Sequence, residues 1–166
     1  KKIRSAASRL MLPPGRGEIV RAGPHILIDD SYNANPGSMA ASLKRILNLR
    51  RYRRGHDVIL VLGDMLELGE RSGREHCKIG VIARAIRPAR MIYVGKEYRH
   101  VFRGYVSGGG NKQRLVHVDT AADALSVLQK NMAIGKKYII LIKGSRQMGL
   151  EKVVDGICQN MNRKSN

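Results

Sequence analysis

The chain has 166 residues, 43% of them hydrophobic, enough for one globular core and too few for two. No run approaches the roughly 18 to 20 apolar residues of a membrane-spanning helix, and Lys1-Lys2-Ile3-Arg4 leads into no apolar signal core, so the chain reads as soluble and unexported. Thirty-one Lys and Arg against thirteen Asp and Glu give a net charge of +18, which points to anionic partners, yet aromatics are only 4% and no stacking platform or DNA-binding motif appears. Nucleic acid therefore rests on charge alone. Cys77 and Cys158 lack the paired spacing of a zinc site and read as buried, reduced thiols.

Lys1 to Leu12 reads as the tail of a preceding domain and a hinge, with residues 1–15 set apart from a domain over 16–166. Glu18 to Ala22, turning at Gly23-Pro24, is a candidate antiparallel edge strand. His25-Ile26-Leu27-Ile28-Asp29 is a strand; Asn35 caps a helix with Pro36 at its first position, and Met39, Leu43, Ile46 and Leu47 share one face. The helix closes near Gly55. The cluster Arg50-Arg51-Tyr52-Arg53-Arg54 falls at its end, where cations complement the helix dipole.

Asp57 to Leu62 is apolar on both alternating faces, as a central parallel strand covered on each side should be. Ile79, Ile82, Ala83 and Ile86 mark a helix stopped by Pro88, Met91 to Val94 a strand, and Tyr98, Val101, Phe102 and Tyr105 another helix before the Gly108-Gly109-Gly110 loop. Leu115 to Val118 is a strand; Thr120 with Asp123 forms a capping-box pattern, and Ala124, Leu125, Leu128 and Met132 line the next helix. Tyr138 to Ile142 and a helix through Leu150, Val153, Val154 and Ile157 complete the order. The expectation is an α/β fold: a Rossmann-like, doubly wound, mostly parallel sheet of five to six strands with helices on both faces. Ligands in such sheets bind beyond the carboxyl ends of the strands.

The first strand ends in Asp29-Asp30-Ser31-Tyr32-Asn33-Ala34-Asn35-Pro36-Gly37-Ser38, which offers carboxylates for ribose hydroxyls and free amides for an anion, and reads equally well as loop and cap chemistry. The second ends in Gly63-Asp64-Met65-Leu66-Glu67-Leu68-Gly69-Glu70, with His76 following, able to receive an ammonium group or a hydrated cation; no diagnostic metal-ligand spacing is present. The fifth ends in Lys143-Gly144-Ser145-Arg146, suited to a carboxylate or phosphate, with a bidentate option at Arg146. Neither a P-loop nor a dinucleotide fingerprint occurs, which disfavours a free-standing oxidoreductase.

In their order and separation, Leu27 to Met39, Val61 to Glu70 and Ile142 to Met148, with Pro14-Gly15-Arg16-Gly17 at the entrance, resemble the C-terminal domain of the Mur ligase family. The Asp-Ser-Tyr-Asn-Ala-Asn wording resembles the member that adds D-alanyl-D-alanine rather than a single amino acid. The resemblance implies a bacterial, cytoplasmic enzyme of peptidoglycan synthesis with three domains, in which this one closes over substrates held by its own N-terminal and central domains. It implies ATP with Mg2+, bound mainly by the central domain, and the substrates D-alanyl-D-alanine and UDP-linked muramoyl tripeptide. It implies the family's chemistry, in which ATP phosphorylates the tripeptide carboxylate and the dipeptide amine attacks the acyl phosphate. By the same resemblance Arg16 approaches the nucleotide phosphates and Asp30 the ribose, with Tyr32, Asn33 and Asn35 beside them. Lys143, Ser145 and Arg146 are expected at the dipeptide carboxylate, and Asp64, Glu67 or His76 near its amine. No catalytic residue and no metal site are expected within the chain, which alone should be inactive. The competing reading is a stand-alone basic module for nucleic acid or another polyanion, whose binding falls steeply with salt.

Overall fold

The computed structural model describes residues 15–53 and 55–163. The expected tail before Gly15 and Arg54 of the basic cluster lie outside the described residues. Six strands form one sheet: β1 (Glu18–Ala22), β2 (His25–Asp30), β3 (His56–Gly63), β4 (Arg90–Val94), β5 (Leu115–Val118) and β6 (Lys137–Lys143), in the spatial order β1-β2-β6-β3-β4-β5. Only the β1–β2 hairpin is antiparallel, and the remaining four pairings are parallel. The crossovers are α1 (Pro36–Tyr52), α2 (Ser72–Ile86), α3 (Tyr98–Ser107) and α4 (Ala121–Asn131), and α5 (Glu151–Arg163) follows β6. This is the expected doubly wound sheet, with the hairpin as its edge.

Alternation along the central strands divides the interior into two cores. Val58, Leu60 and Leu62 of β3 and Ile139 and Leu141 of β6 pack with Met39, Leu43, Ile79, Ala83 and Val101 of α1, α2 and α3. Ile59 and Val61, with Tyr138, Ile140 and Ile142, face Ala124, Leu128, Val153 and Ile157 of α4 and α5. Each fully buried aliphatic side chain here contributes about 1.5–3 kcal/mol over its exposed state. Because α1 to α3 lie on one face and α4 and α5 on the other, the end of β6, between β2 and β3, sits where the connections part to opposite faces. Open sheets place their ligand crevice at such a point.

Local signals set the helix ends. Asn35 caps α1 in a reciprocal box, its side chain accepting from Ser38 N at 2.8 Å while Asn35 N donates to Ser38 Oγ at 3.1 Å. At α4 the Thr120 hydroxyl accepts from Asp123 N, but the Asp123 carboxylate turns to that hydroxyl instead of the backbone, so the box is half formed. The helix stops at Asn131, leaving Met132 as the cap residue beyond it.

The helices α2 and α3 meet backbone to backbone through Gly80 and Gly104. A Cβ at Gly104 would overlap the Cys77 carbonyl, and one at Gly80 the Val101 carbonyl. Gly104→Ala should therefore cost about 1–3 kcal/mol through overpacking, because backbone cannot yield as a flexible side chain can. The expected readout is a Tm several degrees lower in thermal unfolding followed by circular dichroism, and an unchanged Tm would refute this close approach.

Candidate functional site

The strand register brings the ends of β2, β6 and β3 together: Asp30 lies beside Lys143, and Lys143 beside Leu62. Asp30 continues the Ile28 face and Lys143 the Leu141 face, so both side chains point to the α1 side of the sheet. There Lys143 Nζ meets Asp30 Oδ2 at 2.8 Å and donates to the Asn33 carbonyl at 2.9 Å, with Lys143 only 2% exposed. Ser42, in the second turn of α1, donates its hydroxyl to the same Asp30 oxygen. Asp30 Oδ1 is left as an acceptor with no partner among the described residues, in a side chain 17% exposed toward the rim. Asp29 points to the opposite face and is satisfied locally by Ser31 N at 3.1 Å and Ser31 Oγ at 2.6 Å.

The entrance loop docks on this strand end. Gly17 N donates to the Asp29 carbonyl at 2.7 Å, and Tyr32 N to the Gly15 carbonyl at 2.9 Å. This pairing carries Arg16 over Tyr32, its guanidinium carbon 4.2 Å from the ring centroid; Arg146 lies 5.6 Å from the same centroid. Two guanidiniums thus gather at a phenol ring that remains 40% exposed. Cation–π attraction holds the arginines near the ring and leaves their N–H edges for an anion such as phosphate or carboxylate. Asn33 and Asn35 are exposed beside it; Asn33 Oδ1 accepts from Ala34 N, and Asn35 is spent largely as the α1 cap.

The other half of the crevice is a buried polar scaffold. Asp64, 4% exposed, accepts from Tyr93 Oη at 2.8 Å, Lys96 N at 2.9 Å and Glu97 N at 3.1 Å, so its carboxylate clasps the β4–α3 turn. Burial, reinforced by the Asp64 charge, pushes the Tyr93 phenol far above its usual range and keeps it a donor. His76 is fully buried: Nε2 accepts from Met65 N at 2.9 Å, which places its proton on Nδ1, 2.8 Å from the Ser72 carbonyl. Ser145, 4% exposed, ties three loops, donating N–H to the Asp64 carbonyl, accepting from Leu66 N, and lying 3.5 Å from the Ala34 carbonyl. Gly144 permits this, since a Cβ there would strike Leu150 and approach Gly63.

Of the residues singled out in the sequence, Arg16, Asp30 and Tyr32 therefore form one cluster with Arg146. Asp64, His76, Lys143 and Ser145 lie beneath it with their polar atoms engaged in the protein. Glu67 stands exposed on the β3–α2 loop with φ of 62°, a left-handed conformation that a non-glycine residue adopts at a cost of order 1–3 kcal/mol and that concentrates at functional loops. Glu97 was not anticipated. It sits at the end of β4, binds Ser72 Oγ at 2.9 Å and faces the rings of His76 at 3.9 Å and His100 at 3.6 Å. Its position just past a parallel strand was the available signal. Ser42 was hidden inside a helix and had none.

A family profile described as "Mur ligase, glutamate ligase domain" matches residues 15–146. The chain is 34% identical, over 95% of its length, to the UDP-N-acetylmuramoyl-tripeptide--D-alanyl-D-alanine ligase of Escherichia coli, and 35% identical over 92% to that of Treponema pallidum; it spans about a third (32%) of each. Its fold superposes on MurF from Acinetobacter baumannii with a TM-score of 0.77 at 26% identity, covering 93% of this chain and 33% of that one. MurF ligase from Thermotoga maritima, solved with ADP, has the same fold, with a TM-score of 0.73 at 21% identity, 98% of this chain and 36% of that one being covered. The chain belongs to the Mur ligase family, as a C-terminal domain of the MurF type.

Proposed function

We propose that this chain is the closing domain of an ATP-dependent ligase that joins D-alanyl-D-alanine to UDP-N-acetylmuramoyl-tripeptide in the bacterial cytoplasm. The observation that carries the reading is the rim cluster: two guanidiniums on Tyr32 beside a carboxylate oxygen left open on Asp30. The names of the relatives supply the substrates. Residues before 16 belong to the preceding central domain and its hinge, and 16–166 to this domain, in keeping with a family match that begins at Gly15.

Arg16 and Tyr32 take the nucleotide side, the guanidinium facing the phosphates, while Asp30 Oδ1 accepts from a ribose hydroxyl; Asn33 and Asn35 line that edge. Arg146 binds the dipeptide carboxylate in a fork, and Glu67 stands toward its ammonium group. Lys143, Ser145, Asp64 and His76 serve the dipeptide site as the groups that fix those loops. Mg2+ is held with the phosphates by the preceding domain.

The chemistry divides accordingly. The tripeptide carboxylate attacks the γ-phosphorus and ADP leaves; the dipeptide ammonium gives one proton to solvent, the free amine attacks the acyl carbon, and phosphate leaves with the bonding pair and the second amine proton. This domain contributes approach geometry, charge at the phosphates and exclusion of water, terms worth up to several powers of ten in rate when reactants are held near attack distance. The isolated chain, without a P-loop, turns over no ATP.

In the full-length ligase, Arg146→Lys should raise the dipeptide KM about tenfold or more with kcat little changed, because a point charge replaces a fork. Steady-state kinetics with varied D-alanyl-D-alanine tests it, and an unchanged KM would remove Arg146 from the site. Asp30→Asn should instead raise the KM for ATP more than that for the dipeptide, since it weakens a charge-assisted hydrogen bond of about 1.5–3 kcal/mol, and should also lower the Tm because the buried Lys143 ammonium loses its counter-charge. A shift confined to the dipeptide would reverse the assignment of the two halves.

A further inference from the structure

The rim accounts for few of the cations. The four segments at the opposite end of the sheet, residues 50–57, 84–90, 107–114 and 130–137, carry eleven arginines and lysines among the described residues and a single carboxylate, Asp57. The whole chain has thirteen carboxylates, so twelve lie elsewhere. Some of these cations are structural: Arg50 reaches the Ile86 carbonyl, Arg84 that of Gly108, and Lys136 pairs with Asp57 at 2.8 Å. The carbonyls at the ends of α2 and α3 explain the first two contacts, and the adjacent starts of β3 and β6 the third. They do not explain the exposed Arg51, Arg53, Arg87, Lys112, Lys130 and Lys137 gathered at one end.

That end also holds the two most exposed large hydrophobic residues. Ile134 is fully exposed at the tip of the α4–β6 loop, and Tyr52 is 84% exposed at the end of α1. They flank an open, mainly basic cavity of about 710 Å³ walled by Arg50, Arg53, His56, Lys137 and the Lys136–Asp57 pair, where His56 Nδ1 is buried without a hydrogen-bond partner. Two apolar projections framed by unpaired cations match an anionic bilayer: phosphate headgroups meet the cations, and an isoleucine and an interfacial tyrosine enter the headgroup–acyl boundary. A nucleic acid would use the charge but gain little from Ile134, and the other tyrosines at this end, Tyr105 and Tyr138, are buried and offer no base a platform.

The rim, where Tyr32 N donates to the Gly15 carbonyl, lies at the other end of the sheet. We infer that the basic end carrying Tyr52 and Ile134 is a peripheral docking surface for membranes rich in anionic phospholipid, independent of the ligase reading above.

The test is flotation of the whole chain with vesicles of neutral phosphatidylcholine and with vesicles containing about 30% anionic phosphatidylglycerol, at about 0.1 M salt, where surface charges remain coupled over roughly 10 Å. The chain should float with the anionic vesicles only and be released by salt. Each cation removed should weaken partition about fivefold, so Arg53→Glu with Lys137→Glu should abolish flotation. Tyr52→Ser with Ile134→Ser should lower it at least several-fold while leaving the Tm and any binding to a DNA duplex unchanged, because both side chains are exposed. Absence of flotation, flotation indifferent to Tyr52 and Ile134, or tighter binding to duplex DNA than to anionic vesicles would each overturn the inference.

Discussion

The buried pair between Lys143 and Asp30 is the constraint on which the rim depends. A lysine 2% exposed is expensive to desolvate and persists only where its donors are matched. Parallel pairing of β2 and β6 places the two residues side by side, and the Asn33 carbonyl takes a further donor. That second bond has a structural result, because it pins the loop after β2 from below. With Asn33 tied to β6 and Tyr32 N tied to Gly15, the Tyr32 ring projects outward, where Arg16 and Arg146 meet it. The same pair occupies one oxygen of Asp30 and leaves the other free, so the ammonium group both anchors the loop and orients the carboxylate.

The architecture was largely legible because periodicity is a property of consecutive residues. Both-sided apolarity in Val58 to Leu62 follows from alternation between two cores, and the α1 cap from Asn35-Pro36. Sheet order is not such a property. The chain passes from β2 to β3 through α1, yet β6 inserts between them, so Lys143 and Asp30, assigned from the sequence to different ligands, become neighbours. Asp64 shows the same limit. Its residue type and strand-end position suggested a ligand, but its partners Tyr93, Lys96 and Glu97 come from the next strand. His76 sits four residues after Ser72 on α2, and only the folded loop reveals that its ring takes the Met65 amide.

Burial then separates groups that shape the crevice from groups that can read a ligand. A carboxylate already accepting three hydrogen bonds, as Asp64 does, has little capacity left, and withdrawing it would strand a buried phenol and two amides. Arg16, Tyr32, Glu67 and Arg146 retain exposed polar edges and can form new bonds without breaking old ones. The left-handed backbone at Glu67 belongs with this division. Strain of that kind is tolerated where the surrounding loops over-determine a conformation, and here Ser145 fixes the neighbouring Leu66 amide from β6.

The division also bears on how closure under the proposed function would act. The groups proposed for the nucleotide and for the dipeptide lie within reach of one ring, Tyr32, and are carried by loops that lock to each other through Lys143 and Ser145. In a rim built this way Arg16 and Arg146 keep a fixed relation to each other, so under the proposed function a closure that carries Arg16 to a phosphate carries Arg146 forward as well. Coupling of that sort requires no signal passed between sites, because two fully packed cores hold the strands whose ends carry both.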